Sequence, residues 1–311
     1  MASEAVVFEA PAQLALRTLE LKPAEADDVV VEVAWSGIST GTERLLYTGR
    51  MPPFPGLGYP LVPGYESVGE VVDAGAGARA RIGERVFVPG SSGFKTVRGL
   101  FGGAARRLVA PSARVVTIDP ALGETGVLIA LAATAAHALA GGQAPADLIV
   151  GHGVLGRLLA RIATAMGAAP PTVWETNVER RRGALGYPVI DPATDERRDY
   201  RAIYDASGDS KLLGPLISRL AKGGEVVLAG FYDQPLTFDF PPAFIREARL
   251  RVAAEWAPAD LASVVALIDS GALSLDGLVT HRLPAALAAE AYATAFGDPA
   301  CLKMVLAWSE H

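Results

Sequence analysis

The stretch Leu148-Ile149-Val150-Gly151-His152-Gly153-Val154-Leu155-Gly156 decides how this chain folds. Its apolar opening reads as a short buried strand, and the glycines follow in a G-x-G-x-x-G pattern. Beyond them Leu155, Leu158, Leu159, Ile162 and Met166 recur at helical spacing. After Pro170-Pro171 a second run, Thr172-Val173-Trp174, ends on Glu175. Strand, glycine turn, helix, strand and acid in that order form a dinucleotide-binding unit. The first glycine permits the tight turn, the second lets a pyrophosphate approach the backbone, and the third lets helix and strand pack closely. Free N–H groups and the positive dipole end of the helix then face the phosphates.

Glu175 lies nineteen residues after Gly156, near the spacing of about 20 expected for the acid that bonds the adenosine ribose. A carboxylate there accepts from the ribose hydroxyls and repels a 2′-phosphate, so the expected cofactor is NAD. Arg180, Arg181 and Arg182 keep NADP open, because arginines at this point can hold a 2′-phosphate; they read as a solvated helix face. His152 is expected to point outward and takes no role. The candidate cofactor residues are Gly151, Gly153, Val154, Leu155, Gly156 and Glu175, joined by Ser207 and Gly230 at the ends of two later strands.

Composition narrows the rest. At 311 residues, half of them hydrophobic and a fifth charged, the chain suits two globular domains. A net charge of −6 argues against a nucleic-acid partner held through phosphates. One cysteine, Cys301, excludes a disulfide framework and any cysteine metal cluster within the chain, and agrees with a reducing cytoplasm. The opening residues lack a basic region before an apolar core, so no secretory signal is expected. The uncharged stretch 126–139 is alanine-rich and shorter than the ~20 residues of a spanning helix; it reads as a buried helix, without stable membrane insertion.

Residues 6–119 show short strands between glycine and proline turns (6–8, 14–19, 29–35, 67–73, 85–89) and little helical periodicity. This is an irregular, barrel-like β domain. From about Pro120 the texture becomes alternating helix and strand: a helix over 123–139, the glycine-turn unit, strands near 189–191 and 200–205, a helix over 212–220, a turn at Lys222-Gly223-Gly224, and strands at 225–230 and 249–255. That alternation predicts a parallel sheet covered on both faces. Helices over 259–270 and 285–296, with strands near 278–283 and 302–308, make a tail too short to fold alone. The expected domains are 120–256 for the nucleotide sheet, and 1–119 with 257–311 for the β domain.

Gly64-Tyr65-Glu66-Ser67-Val68-Gly69-Glu70-Val71-Val72, the glycine unit, Asp205-Ala206-Ser207-Gly208 and Lys222-Gly223-Gly224-Glu225-Val226-Val227 resemble the medium-chain dehydrogenase/reductase family along the whole chain. The resemblance implies an α/β protein: a GroES-like β-barrel catalytic domain, interrupted by a Rossmann domain, with the active site in the cleft between them. It implies dimers through the outer strand of the nucleotide sheet in many members. Where the zinc alcohol dehydrogenases carry their ligands, this chain has Ser39, Tyr65 and about Ala130; only Glu66 survives of the Gly-His-Glu segment. A catalytic zinc needs three ligands from Cys, His and carboxylate, so no metal is expected.

Among zinc-free members, Trp35-Ser36-Gly37-Ile38-Ser39-Thr40-Gly41-Thr42-Glu43 and Phe240-Pro241-Pro242-Ala243-Phe244 resemble the branch that oxidises the 3-(1-hydroxyethyl) group of a bacteriochlorophyllide to acetyl with NAD. That resemblance implies a tetrapyrrole substrate and transient contact with a photosynthetic membrane. Without a metal, protein groups must position the alcohol and take its proton. The candidates are Ser39, Thr40, Glu43, Tyr65 and Glu66: Glu66 or Glu43 as acceptor, Tyr65 or Thr40 bonded to the substrate oxygen. Both glutamates also suit a structural role. His137, His281 and His311 read as satisfied packing residues; Arg50, Arg98 and Arg246 could meet a carboxylate. A zinc-free NADPH-dependent quinone or enoyl reductase and a non-catalytic NAD-binding sensor are the competing functions.

Overall fold

The computed structural model describes residues 1–308; His311 lies outside them. The chain divides into two compact units, Met1–Ala130 with Asp276–His311, and Leu131–Leu275.

In the first unit the strand Asp28–Ile38 is the organiser. It is long enough to hold three antiparallel partners. Arg107–Pro111 pairs with residues 28–32, Met304–Ala307 with residues 35–38, and Ser67–Ala74 runs along most of its length. Val29, Val30 and Val31 are all fully buried, so the usual alternation of inward and outward residues is lost there. The resulting seven-stranded sheet also takes in Arg85–Val88, Val116–Thr117 and His281–Pro284. A four-stranded sheet is built on the hairpin of Ala2–Ala10 and Gln13–Glu20. One apolar core, from Val6 and Phe8 to Leu306 and Trp308, unites the amino-terminal strands with the carboxyl-terminal segment. The strand Met304–Ala307 is added antiparallel to the end of Asp28–Ile38.

The second unit is a six-stranded parallel sheet in the order Val189–Ile190, Thr172–Trp174, Leu148–Val150, Tyr200–Asp205, Leu220–Leu228, Arg249–Val252. Numbered along the chain, that is 3-2-1-4-5-6, the doubly wound order whose direction reverses beside the first strand. Leu148, Ile203, Leu216, Leu220 and Val226 pack as its buried core.

Several boundaries differ from those expected. The units divide at Ala130 and Leu275 rather than near residues 119 and 256. The helix Pro258–Asp269 belongs to the second unit, where Asp260 meets His137 Nδ1 at 2.8 Å and Arg161 donates to Ser274 O just beyond it. The expected helix at 123–139 is a 3₁₀ segment, Pro120–Leu128, running into an α-helix, Ile129–Ala140, with a non-helical Gly123 (φ 50°, ψ −130°). Its 21 residues are long and apolar enough to cross a membrane by composition, more than the sequence suggested, but over half of its apolar span is buried in the fold. That is how a core helix behaves. The short helix Thr42–Thr48 lies in a region read as strand and turn, and Phe240–Arg246 is also helical. Lys222-Gly223-Gly224 is taken up inside the strand Leu220–Leu228, where the pairing register shifts.

Candidate functional site

The nucleotide unit presents the glycine elbow at the carboxyl end of Leu148–Val150. Gly151 holds φ +96°, which favours glycine. A Cβ on Gly156 would lie 1.8 Å from Gly151 O, so the helix packs this close only without one. In front of Gly153 there is nothing within 4 Å of such a Cβ, leaving the approach open. The N–H of Arg157 closes the first helical bond onto Gly153 O. The amides of Val154, Leu155 and Gly156 precede it and are unpaired within the helix, as an anion site requires.

Glu175 ends the neighbouring strand. Its Oε2 accepts from His152 N at 3.1 Å and its Oε1 from Asn177 N at 2.8 Å. Each carboxylate oxygen keeps a second lone pair, enough for a ribose diol. Ser207, whose N–H and hydroxyl both donate to Asp205 Oδ1, follows the strand next to the elbow. Gly230 donates its N–H to Asp205 O; a Cβ there would meet Gly208 N at 3.0 Å. The residues present fit a dinucleotide.

His152 is not turned outward: it is fully buried. Nδ1 lies 2.6 Å from Arg180 O and must carry the proton; Nε2, 2.9 Å from Tyr187 Oη, accepts. Burial depresses its pKa to about 4, so it is neutral near pH 7. Nor does the helical run of apolar residues reach its expected end: Met166 is exposed beyond the helix Val154–Ala165, while Arg157 and Arg161 are buried within it. The arginine segment is no uniform solvated face either. Arg182 is exposed, but Arg181 is held by backbone carbonyls and Asp191.

In the first unit the candidates Ser39, Glu43, Tyr65 and Glu66 lie in an interior polar cluster, which leaves out Thr40. Ser39 Oγ and Tyr65 Oη are 2.8 Å apart, and Thr42 also bonds Tyr65. Glu43 enters the interior from the first turn of Thr42–Thr48 and is 1% exposed. It accepts from Ser39 N at 2.9 Å and from Tyr292 Oη at 2.5 Å. Burial outweighs these bonds and pushes its carboxyl up to about 7. Glu66 is fully buried against Lys303, whose Nζ donates to its two oxygens at 2.9 and 2.6 Å and to Ile38 O at 3.1 Å. Burial raises its pKa and the ammonium opposes the rise. Tyr65 is raised above the usual phenol range by burial and then by Glu66, so its hydroxyl keeps its proton. Thr40 is exposed.

Lys303 and Tyr292 are the partners that sequence reading missed, 237 and 249 residues from the glutamates they bond. One local signal exists: a Cβ on Gly37 would sit 2.2 Å from Glu66 Oε2, so that glycine marks the ion pair. An aromatic row extends from Tyr65, which meets Phe101 edge-on at 5.6 Å, to Phe54 at 6.1 Å from Phe101. Of the arginines considered for a carboxylate, Arg98 donates to Leu57 O and Arg246 to Leu220 O. His281 lies within 2.9 Å of the Thr280 hydroxyl. Ser39, Tyr65 and Ala130 do not make a zinc donor set, and no group of three or more His, Cys, Asp or Glu suited to a metal occurs among the described residues.

A parallel 3-2-1-4-5-6 sheet with a glycine elbow, in one chain with a β unit that takes in the strand Met304–Ala307, is the architecture of the medium-chain dehydrogenase/reductases. Residues 25–120 match the alcohol dehydrogenase GroES-like domain. The chain is 62% identical to 2-desacetyl-2-hydroxyethyl bacteriochlorophyllide A dehydrogenase of Cereibacter sphaeroides, over 99% of each chain. It is 59% identical to the Rhodobacter capsulatus protein of the same name, over 100% of this chain and 99% of that one. An Escherichia coli alcohol dehydrogenase complexed with NADH shares the fold, with a TM-score of 0.85 over 99% of both chains at 22% identity. The chain belongs to the bacteriochlorophyllide dehydrogenase family, within the medium-chain dehydrogenase/reductases.

Proposed function

We propose that the protein oxidises the 3-(1-hydroxyethyl) group of a bacteriochlorophyllide to 3-acetyl, using NAD and no zinc. The observation that carries this reading is the near full-length identity to two proteins named for that substrate. The carbinol carbon gives up hydride, the hydroxyl gives up a proton, and the nicotinamide, when bound, is the hydride acceptor. The elbow amides of Val154, Leu155 and Gly156 take the phosphates and Glu175 takes the adenosine ribose. Ser207 and Gly230 border the cofactor at the ends of their strands.

The proton is handled by the polar cluster. Tyr65 meets the substrate oxygen and Ser39 backs it, since their hydroxyls already bond. Glu43 is the acceptor. A carboxyl raised to about 7 suits proton exchange at neutral pH, whereas both oxygens of Glu66 are taken up by Lys303 Nζ. Phe54 and Phe101 supply apolar edges for a flat macrocycle. The same family resemblance carries with it a cytoplasmic site of action, transient contact with the photosynthetic membrane and pairing of two copies.

Glu175 weighs against an NADPH-linked quinone or enoyl reductase, and the two relatives' names weigh against a non-catalytic sensor. Incubation with NAD⁺ and a 3-(1-hydroxyethyl) bacteriochlorophyllide should move the pigment's red band and produce NADH. No shift, alongside turnover of a simpler alcohol, refutes the substrate. Stoichiometric zinc in metal analysis refutes the metal-free chemistry.

A further inference from the structure

Next to the ribose acid stands an arginine that is held away from it. Arg181 donates from Nε to Glu175 O at 2.8 Å, and from Nη2 to Thr176 O at 3.1 Å and Asp191 Oδ2 at 2.5 Å. Asp191 follows the strand Val189–Ile190, which pairs with Thr172–Trp174; the amide of Glu175 donates to Ile190 O. The two acids therefore stand at the carboxyl ends of adjacent parallel strands, with the guanidinium of Arg181 between them.

The backbone around Arg181 is fixed from inside. Arg157 donates to the carbonyls of His152, Arg180, Arg182 and Gly183 at 2.7–3.1 Å. His152 Nδ1 adds a second bond to Arg180 O. Gly183, at φ +78°, has no room for a Cβ, which would fall 2.5 Å from Arg157 Nη1. With the main chain pinned, only the carboxylate of Asp191 and the two strand-end carbonyls decide where the Arg181 head lies.

We infer that Asp191 is a positioning residue for cofactor choice. It draws Arg181 across the strand ends and neutralises it, so a 2′-phosphate meets the Glu175 carboxylate without a cation to offset it. This rests on the proposed NAD reading. Phosphate is held best by a guanidinium offering two donors in a plane. Three of the five N–H groups of Arg181 are already used, leaving those of Nη1.

Calorimetric titration with NAD⁺ and NADP⁺ tests it. Asp191→Asn keeps Oδ1, which accepts from Ala193 N at 2.9 Å, but presents an amide donor to Arg181. That variant alone should keep its NAD⁺ affinity, which shows that it folds. Glu175→Ser combined with Asp191→Asn should bind NADP⁺ at least about tenfold more tightly than Glu175→Ser alone, a gain of roughly 1.4 kcal/mol. Adding Arg181→Met should cancel the gain. Equal NADP⁺ affinity in the single and double variants, or a gain that survives loss of Arg181, overturns the role of Asp191. Tighter NADP⁺ than NAD⁺ binding by the unaltered protein overturns the cofactor reading itself.

Discussion

Replacing Glu43 with Gln should change the pH dependence of folding more than its magnitude. Ser39 N–H can still donate to the amide oxygen. The new NH₂ can donate to Tyr292 Oη, which then turns from donor to acceptor. At pH 5 the native carboxyl is protonated, so the amide is a close mimic and stability should change by no more than about 1 kcal/mol. The acid itself behaves differently as pH rises. Its folded pKa of about 7 stands above the ordinary glutamate value of 4.5, so the native state binds the extra proton and is favoured below the unfolded value. That advantage fades as pH climbs through 4.5 to 7. A tenfold difference in proton affinity is worth about 1.36 kcal/mol, so the loss between pH 5 and pH 8 amounts to about 2.5 kcal/mol. Urea unfolding followed by tryptophan fluorescence at both pH values should give parent and variant nearly equal at pH 5, and the variant more stable at pH 8 by roughly 2 kcal/mol. Identical pH slopes in the two proteins would refute a neutral-range carboxyl at this position.

Breaking the other buried pair should be costlier. Lys303→Met leaves Glu66 without its counter-charge, and a loss of about 3–5 kcal/mol is expected in the same assay; Glu66→Gln/Lys303→Met together should recover most of it. Tyr65→Phe should lower kcat roughly 10²-fold with little change in NAD⁺ affinity, as a lost proton-handling group would; an unaltered kcat removes Tyr65 from the chemistry. Glu43→Gln should lower turnover by a similar factor, while Glu66→Gln that lowers kcat equally at matched stability would restore Glu66 as the proton acceptor. Gly156→Ala must push the helix off the elbow, because its Cβ falls 1.8 Å from Gly151 O; NAD⁺ binding by calorimetry should drop sharply, with about 1–3 kcal/mol of overpacking cost in stability.

The nucleotide half was legible because its signals are local. Leu148-Ile149-Val150, three glycines and Glu175 fall within one short stretch, and the elbow's glycines have steric reasons visible in one or two distances. The polar cluster was only half legible. Ser39, Glu43, Tyr65 and Glu66 could be nominated from two short segments, but what tells the two glutamates apart is the remote partner each receives, Tyr292 or Lys303. No periodicity records contacts between residues 237 or 249 positions apart. His152 illustrates the same limit on a smaller scale: a residue inside a glycine turn is expected at the surface, yet Arg180 O and Tyr187 form a closed pocket for it. The domain edges slipped because Asp260 reaches His137, a link between elements 123 residues apart.

Because residues 304–307 hydrogen-bond to residues 35–38, synthesis of this chain has a built-in order. Everything between Leu131 and Leu275 is continuous and can fold while the ribosome is still at work, as a domain usually does. The opening 130 residues must wait: until the last strand emerges, the long central strand has an open edge and Glu66 has no ammonium beside it. A premature stop just ahead of Lys303 would therefore spare the unit that carries the glycine elbow and leave the unit that buries Glu66 unfinished.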